Sequence, residues 1–187
     1  MVRTLHATPL SIEAYARYGG VISTNVVNPN TILVNGGSSR RTPEVVPTTN
    51  LYSASPSGAP GKTVLNASLA SPKEVSAWPA EPGKRALRIK VLERHRFTTQ
   101  SFVPMGGEVM YLVVATDPGD VPDLSEGKLK AFVARQEQGV CYAPGVWHAP
   151  MAVIDHPVSF AVIQHVNGVA DEDCDFFHLE EEIEIVF

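Results

Sequence analysis

Residues 87–95 alternate between two kinds of side chain, which limits how this segment can fold. One series is Leu87, Ile89 and Val91, and the residues between them are mostly basic. Successive side chains of a strand point to opposite faces. The pattern therefore predicts a strand whose apolar face ends in Glu93 and His95. A carboxylate and an imidazole are costly to bury unless they are paired or bound to something. A ligand site is one interpretation, and a half-exposed Glu–His pair is the other.

The rest of the chain predicts many short strands and few helices. Ser11–Tyr18 has the capping residue and length of one short helix. Residues 108–115 are a nearly continuous run of β-forming residues and predict a central strand. Further strands are predicted at residues 129–134, 139–142, 147–154 and 158–166. Frequent Gly and Pro between such runs favour an all-β sandwich or barrel, and the interior of a small barrel can hold one small ligand.

The predicted organisation is one domain over residues 1–187, with the barrel strands in residues 86–166. Residues 38–62 are rich in Pro, Ser, Thr and Gly, so they predict a flexible insertion loop. The C-terminal residues 180–187 alternate weakly and predict an edge strand.

Composition argues against several classes of partner. The formal net charge of -5 disfavours nucleic acid and anionic membrane surfaces. No apolar run approaches the roughly 18 residues of a membrane span, and the N-terminus has no signal-peptide core. Cys141 and Cys174 are the only cysteines. They form no disulfide framework, so we expect a reduced, cytoplasmic setting.

A second polar group lies far along the chain, at His148 in the segment GVCYAPGVWH. A core histidine bonded to a backbone carbonyl is the alternative interpretation. The spacing Glu93-x-His95-x4-Gln100-x6-Gly107 resembles the first cupin motif, and Gly-x-x-His148 resembles the second. Glu93 stands where that motif has His, and Gln100 stands where it has Glu. These oxygen and nitrogen donors suit Ni, Mn, Fe or Zn, or they bind a substrate with no metal.

Two longer segments, LERHRFTTQSFVPMGGEV and QGVCYAPGVWHAPM, resemble the ureidoglycolate lyase family. The resemblance covers nearly the whole chain, and residues 42–62 are its main departure. It implies a cupin-like (double-stranded β-helix) barrel with one or two short helices. It also implies cleavage of (S)-ureidoglycolate to glyoxylate and urea in allantoin and purine degradation. The family is generally dimeric, so the resemblance implies a homodimer.

The resemblance and the chemistry of the reaction suggest a role for each residue. The expected catalytic residues are His95, His148 and Glu93. The expected substrate-binding residues are Gln100, Arg94 and Tyr142. The expected ligands, if a divalent metal is bound, are Glu93, His95, Gln100 and His148. Either histidine is a candidate for the base. Arg94 alternates outward, so it anchors a substrate carboxylate only across a subunit boundary, and Arg40 or Arg41 is the alternative anchor.

Two other functions fit the same residues. A non-catalytic cupin would bind a small carboxylate or a sugar acid in this pocket and would need no base. A metal-dependent isomerase or dioxygenase would use the donors as metal ligands. Release of urea distinguishes a lyase from both, and oxygen consumption tests for a dioxygenase.

Overall fold

The computed structural model of the protein describes residues 3–187. The first eight strands are β1 Arg3–His6, β2 Thr8–Pro9, β3 Gly19–Ile22, β4 Ile32–Val34, β5 Ser39–Arg41, β6 Lys62–Ala70, β7 Ser76–Ala77 and β8 Arg85–Arg94. The next eight are β9 Gln100–Pro104, β10 Met110–Thr116, β11 Lys130–Arg135, β12 Gly139–Tyr142, β13 Trp147–His148, β14 Ala152–Val153, β15 Val158–Val166 and β16 Asp175–Val186. The helices are α1 Ile12–Tyr15 and α2 Ala170–Asp173, and 3-10 turns span Asn35–Gly37 and Tyr52–Ala54. No helix within residues 3–187 is long and apolar enough to cross a membrane.

Most of the strands belong to two sheets. The larger sheet has the order β1-β16-β8-β13-β10-β11-β2, with β7 added to β8 and β14 added to β10. The smaller sheet has the order β3-β12-β9-β15-β6. β4 and β5 form a separate two-stranded hairpin.

The main core is built by one face of each sheet. Tyr111 of β10 and Phe160 of β15 meet edge to face, with 5.4 Å between ring centroids. Val113 and Ala115 of β10 and Val162 of β15 belong to the same buried cluster. The predicted all-β, cupin-like barrel with one or two short helices is therefore confirmed.

A second core covers the other face of the larger sheet. Leu112 and Val114 alternate with the inward residues of β10 and pack in a cluster with Trp147 and Ile185. Both faces of β10 are thus buried, which explains its continuous apolar sequence. Its predicted place as a central strand is confirmed, since β10 pairs with β11, β13 and β14.

The predicted alternation of β8 holds only in its first half. Arg88 and Lys90 are exposed, but Leu92 and Arg94 on the predicted basic face are buried. Arg94 is buried because Trp147 covers this face of the strand, with the Arg94 guanidinium 4.5 Å from the centre of the Trp147 ring. The alternation therefore predicted the strand but not the environment of its C-terminal half.

The prediction of a C-terminal edge strand is wrong. β16 begins at Asp175 and lies between β1 and β8, parallel to β1 and antiparallel to β8. Ile183 and Ile185 of this strand are 2% and 0% exposed and belong to the second core. Burial of these apolar side chains stabilises β16 in the interior of the sheet. The weak alternation of its sequence does not predict that burial.

Residues 38–62, for which the sequence predicts a flexible loop, contact the barrel at defined points. Tyr52 is 0% exposed. The amide of Leu51 donates to the carbonyl of Phe97 at 2.7 Å, and Asn50 forms an antiparallel bridge with Thr98. This segment therefore packs directly behind the chain that follows β8.

Candidate active site

Four of the predicted site residues lie together where the two sheets meet. Glu93 is the penultimate residue of β8 and is paired in register with His148 of β13. His95 follows β8 directly, and Gln100 begins β9. Ligand atoms of Glu93, His95 and His148 all lie within 4.8 Å of one another. Strand pairing thus brings two segments far apart in sequence to one point.

A tight turn places His148 beside His95. Gly145 has a φ of +78°, and the amide of Val146 donates to the carbonyl of Ala143 at 3.2 Å. A positive φ at this position of a turn strongly favours glycine. The amide of Gly145 also donates to the carbonyl of His95 at 2.8 Å. The backbone that leads to His148 is therefore joined to the backbone of His95.

The His148 ring is fixed on both its face and its edge. It stacks on Tyr142 with 3.8 Å between centroids and an interplanar angle of 13°. Its Nδ1 donates to the carbonyl of Val146 at 2.9 Å. Its Nε2 lies 3.2 Å from Gln100 Oε1 and 3.5 Å from Glu93 Oε1. The ring therefore presents Nε2 to two oxygen acceptors, and the Tyr142 ring acts as its support.

His95 presents a nitrogen with no hydrogen-bond partner among residues 3–187. Its Nδ1 lies 2.6 Å from the backbone carbonyl of Asp173 and must carry the proton of that hydrogen bond. Its Nε2 is buried and makes no hydrogen bond in the described part of the chain. Burial, and then the neighbouring His148, lower the pKa of His95. The neutral imidazole therefore offers a free lone pair to a proton or a cation.

Glu93 remains a carboxylate in spite of its position. Burial opposes its ionisation, but the hydrogen bond with His148 and the electrostatic attraction of His148 hold its pKa below the ordinary value. The site thus combines one anion with two imidazoles.

Gln164, which the sequence analysis missed, orients Gln100. Gln100 Nε2 donates to Gln164 Oε1 at 2.8 Å, so the Gln100 carbonyl oxygen faces His148. Gln164 lies on the same face of β15 as the buried Phe160 and Val162. A polar residue in that apolar series was the available signal.

The donor set fits a divalent cation. His95 Nε2 is a buried potential ligand atom that no other described residue bonds, and a carboxylate, a second imidazole and an amide oxygen lie around it. Nitrogen and oxygen ligands of this kind suit borderline divalent ions. Glu93, His95, Gln100 and His148 are therefore the residues that could hold one.

The sequence profile of the ureidoglycolate lyase family matches residues 2–186. This chain belongs to the ureidoglycolate lyase family. The resemblance inferred from the sequence motifs is thereby confirmed.

Individual members of the ureidoglycolate lyase family align with almost the full chain. The ureidoglycolate lyase of Schizosaccharomyces pombe is 36% identical over 98% of this chain and 95% of its own length. That of Pseudomonas paraeruginosa is 33% identical over 97% of this chain and 95% of its own length.

Similarity to solved structures is weak. A dTDP sugar isomerase from Desulfovibrio desulfuricans has a TM-score of 0.39 and 18% identity, covering 86% of this chain and 87% of its own. RmlC from Streptococcus suis, solved with dTDP-D-xylose, has a TM-score of 0.36 and 11% identity, covering 59% of this chain and 47% of its own.

The arginines considered as substrate anchors make their contacts outside the group of four candidate site residues. Arg94 pairs with Asp175 at 2.7 Å and lies over Trp147. Arg40 donates to the carbonyl of Thr24, and with Arg41 it lines a separate cavity that none of the four site residues touches. The structure therefore does not support these arginines as anchors for a substrate carboxylate.

Proposed function

We propose that this chain cleaves (S)-ureidoglycolate to glyoxylate and urea. Membership of the ureidoglycolate lyase family supports the reaction. The observation that carries the proposal is the unpartnered Nε2 of His95 beside Glu93 and His148. A buried group that accepts a proton, next to a second imidazole and a carboxylate, is what an elimination of this kind needs.

The substrate dictates the chemistry. Its hydroxyl and its urea nitrogen are bonded to the same carbon. When a base removes the hydroxyl proton, the electron pair forms the carbonyl, the C–N bond breaks and the departing nitrogen takes up a proton. The products are glyoxylate and urea, so no water is consumed.

The geometry favours His95 as the base and His148 as the proton donor. His95 Nε2 has a free lone pair, because Nδ1 donates to the carbonyl of Asp173. His148 Nε2 faces the oxygens of Gln100 and Glu93, an arrangement that a proton on Nε2 satisfies. Glu93 would exchange that proton and hold the ring in place. The Gln100 oxygen would accept a hydrogen bond from the urea group.

A divalent cation is proposed as an alternative occupant of the site, because binding to Nε2 of His95 and His148 would take the positions that the proton transfer uses. Glu93, His95, Gln100 and His148 would hold it. When bound, it would polarise the hydroxyl and grip the carboxylate of the substrate. The candidate ions are Ni, Mn, Fe and Zn. Metal analysis of purified protein, and of a Glu93→Gln variant, tests this proposal.

The deciding experiment measures products from (S)-ureidoglycolate and purified protein. We expect urea and glyoxylate in equal amounts, with no ammonia and no oxygen uptake. A His156→Ala variant, altered at an exposed histidine away from the site, serves as the matched control and should keep full activity. Absence of urea release, or release of ammonia in its place, would refute the proposed function.

We further propose a homodimer that forms through β6, an edge strand of the smaller sheet. Leu65 and Leu69 of β6 are 71% and 70% exposed, and Ala67 lies between them on the same face. β6 is an edge strand, and residues 63–70 contain neither charge nor proline. Such an edge can pair with its own copy, since nothing in it repels an identical strand.

Sedimentation analysis tests the dimer. We expect two copies for the wild type and one copy for a Leu65→Glu, Leu69→Glu variant, because four carboxylates would meet across the interface. A monomeric wild type, or a variant that stays dimeric, would refute this surface.

A cytoplasmic location is proposed as well. Cys141 and Cys174 are both free thiols, which suits a reducing compartment. The acidic net charge of -5 favours a small-molecule substrate over nucleic acid as the partner. Cell fractionation with an antibody against the chain tests the location.

A further inference from the structure

We propose that Tyr52 is a positioning residue that holds the His95 imidazole through Asp173. This inference rests on the proposed lyase function. Tyr52 lies in the Pro- and Ser-rich segment that the motifs leave without a role.

The first contact joins the tyrosine hydroxyl to Asp173. Tyr52 is 0% exposed, and its hydroxyl lies 2.5 Å from Asp173 Oδ1. The carbonyl of His165 is a second, longer acceptor at 3.2 Å. A phenol that donates to a carboxylate at the shorter distance makes the stronger of the two hydrogen bonds.

The second contact joins Asp173 to the site. The backbone carbonyl of Asp173 accepts from His95 Nδ1 at 2.6 Å. That bond fixes the tautomer and turns Nε2 of His95 toward Glu93. One residue therefore separates the Tyr52 hydroxyl from the ring proposed as the base.

Asp173 cannot hold this position through its own helix alone, because α2 has only four residues. Its carboxylate accepts from the amides of Asn167 and Gly168 at 2.9 and 3.0 Å, which closes a local loop. Tyr52 supplies a bond to Asp173 from outside that loop, and Ser57 supplies bonds to the neighbouring Glu172. Removing the Tyr52 hydroxyl would leave the loop attached at Glu172 but would remove the outside bond to the Asp173 side chain.

Residues 49–52 also support the chain that links His95 to Gln100. The amide of Leu51 donates to the carbonyl of Phe97 at 2.7 Å, and the amide of Thr99 donates to the carbonyl of Thr49 at 3.2 Å. The rings of Tyr52 and Phe97 lie 5.6 Å apart. The same segment thus contacts both sides of His95, namely the Asp173 carbonyl and the loop that follows the histidine.

The position of the Tyr52 ring is tightly constrained. A Cβ atom on Gly61 would lie 2.3 Å from Tyr52 Cδ2, and the ring has no exposed space into which it can move. Gly61→Ala is therefore a second way to displace the ring without touching the hydroxyl.

The test compares Tyr52→Phe with Tyr111→Phe. Tyr111 is equally buried, and its hydroxyl also makes a 2.5 Å bond, to the carbonyl of Gln138 in the core. We expect both variants to lose some thermal stability. Only Tyr52→Phe should lower kcat, by about tenfold, with KM within about twofold of the wild type. Gly61→Ala should lower kcat in the same direction.

A double-mutant cycle separates positioning from general stability. In a His95→Ala background, Tyr52→Phe should cause no further loss of the residual rate, because the ring that it positions is gone. An undiminished kcat in Tyr52→Phe, or a loss that persists in the His95→Ala background, would overturn the inference. A wild type that releases no urea would overturn the proposed function together with this inference.

Discussion

Replacement of each imidazole by alanine is the most direct test of the site. We expect His95→Ala and His148→Ala each to lower kcat by about 10²–10⁴, the usual contribution of a positioned base or a hydrogen-bond donor. Each factor of ten is about 1.4 kcal/mol, so either ring would supply about 3–5 kcal/mol of transition-state stabilisation.

The two variants should differ in stability, because the rings make different contacts. His95 has one protein hydrogen bond, to Asp173, and its other nitrogen has no partner. Its loss should cost about 1–2 kcal/mol. His148 is 1% exposed, stacks on Tyr142 and is bonded to Val146. Its removal leaves a cavity and an unpaired carboxylate, and should cost about 3 kcal/mol.

Urea release under saturating substrate measures the catalytic effect, and urea denaturation followed by circular dichroism measures stability. The His156→Ala variant controls for loss of an imidazole elsewhere. Both variants should remain folded at room temperature. Unchanged turnover in both would refute the assignment of the site. A larger loss of stability in His95→Ala than in His148→Ala would refute the contact argument.

Three further predictions follow from single contacts. Gln164→Met should lower kcat by up to about tenfold, because one net hydrogen bond of about 1 kcal/mol orients the Gln100 amide. Gln164→Glu keeps the acceptor oxygen and should retain the wild-type rate in the same urea-release assay. Arg94→Met should lower the melting temperature but leave KM unchanged, since the guanidinium contacts Asp175 and lies outside the site; a raised KM would show that it binds substrate. Burial opposes ionisation of Glu172, but hydrogen bonds from Ser57 and Asn167 lower its pKa to about 2. Its folded pKa is below the ordinary value, so its stabilisation is present above about pH 4.5 and is lost as the pH falls toward 2. The difference in melting temperature between wild type and Glu172→Gln should therefore shrink over that range, and a constant difference would contradict the assignment.

The sequence predicted which polar residues lie together better than it predicted which residues support them. The spacing of Glu93 and His95 along β8 and the turn before His148 are local features of the chain. Short sequence motifs record such features, so these three residues could be identified from the motifs. Tyr52 and Asp173 are 121 positions apart, and no local pattern joins them.

Two residues have contacts that alternation along a strand does not predict. Tyr142, which stays a predicted substrate-binding residue, stacks flat against His148. Arg94 was expected to alternate outward, but Trp147 covers it. Both outcomes depend on neighbours from distant strands, and alternation within one strand carries no information about those neighbours.

The hydrogen bond between the Gly145 amide and the His95 carbonyl has a consequence for selectivity. The ring centroids of His95 and His148 lie 5.8 Å apart. This hydrogen bond joins the backbone segments that hold the two rings. The distance between the two rings is therefore set partly by the main chain, in contrast to a gap set by side chains alone. Analogues with a larger group on the reacting carbon should be excluded by size, while those that differ only at the far end of the urea should still enter.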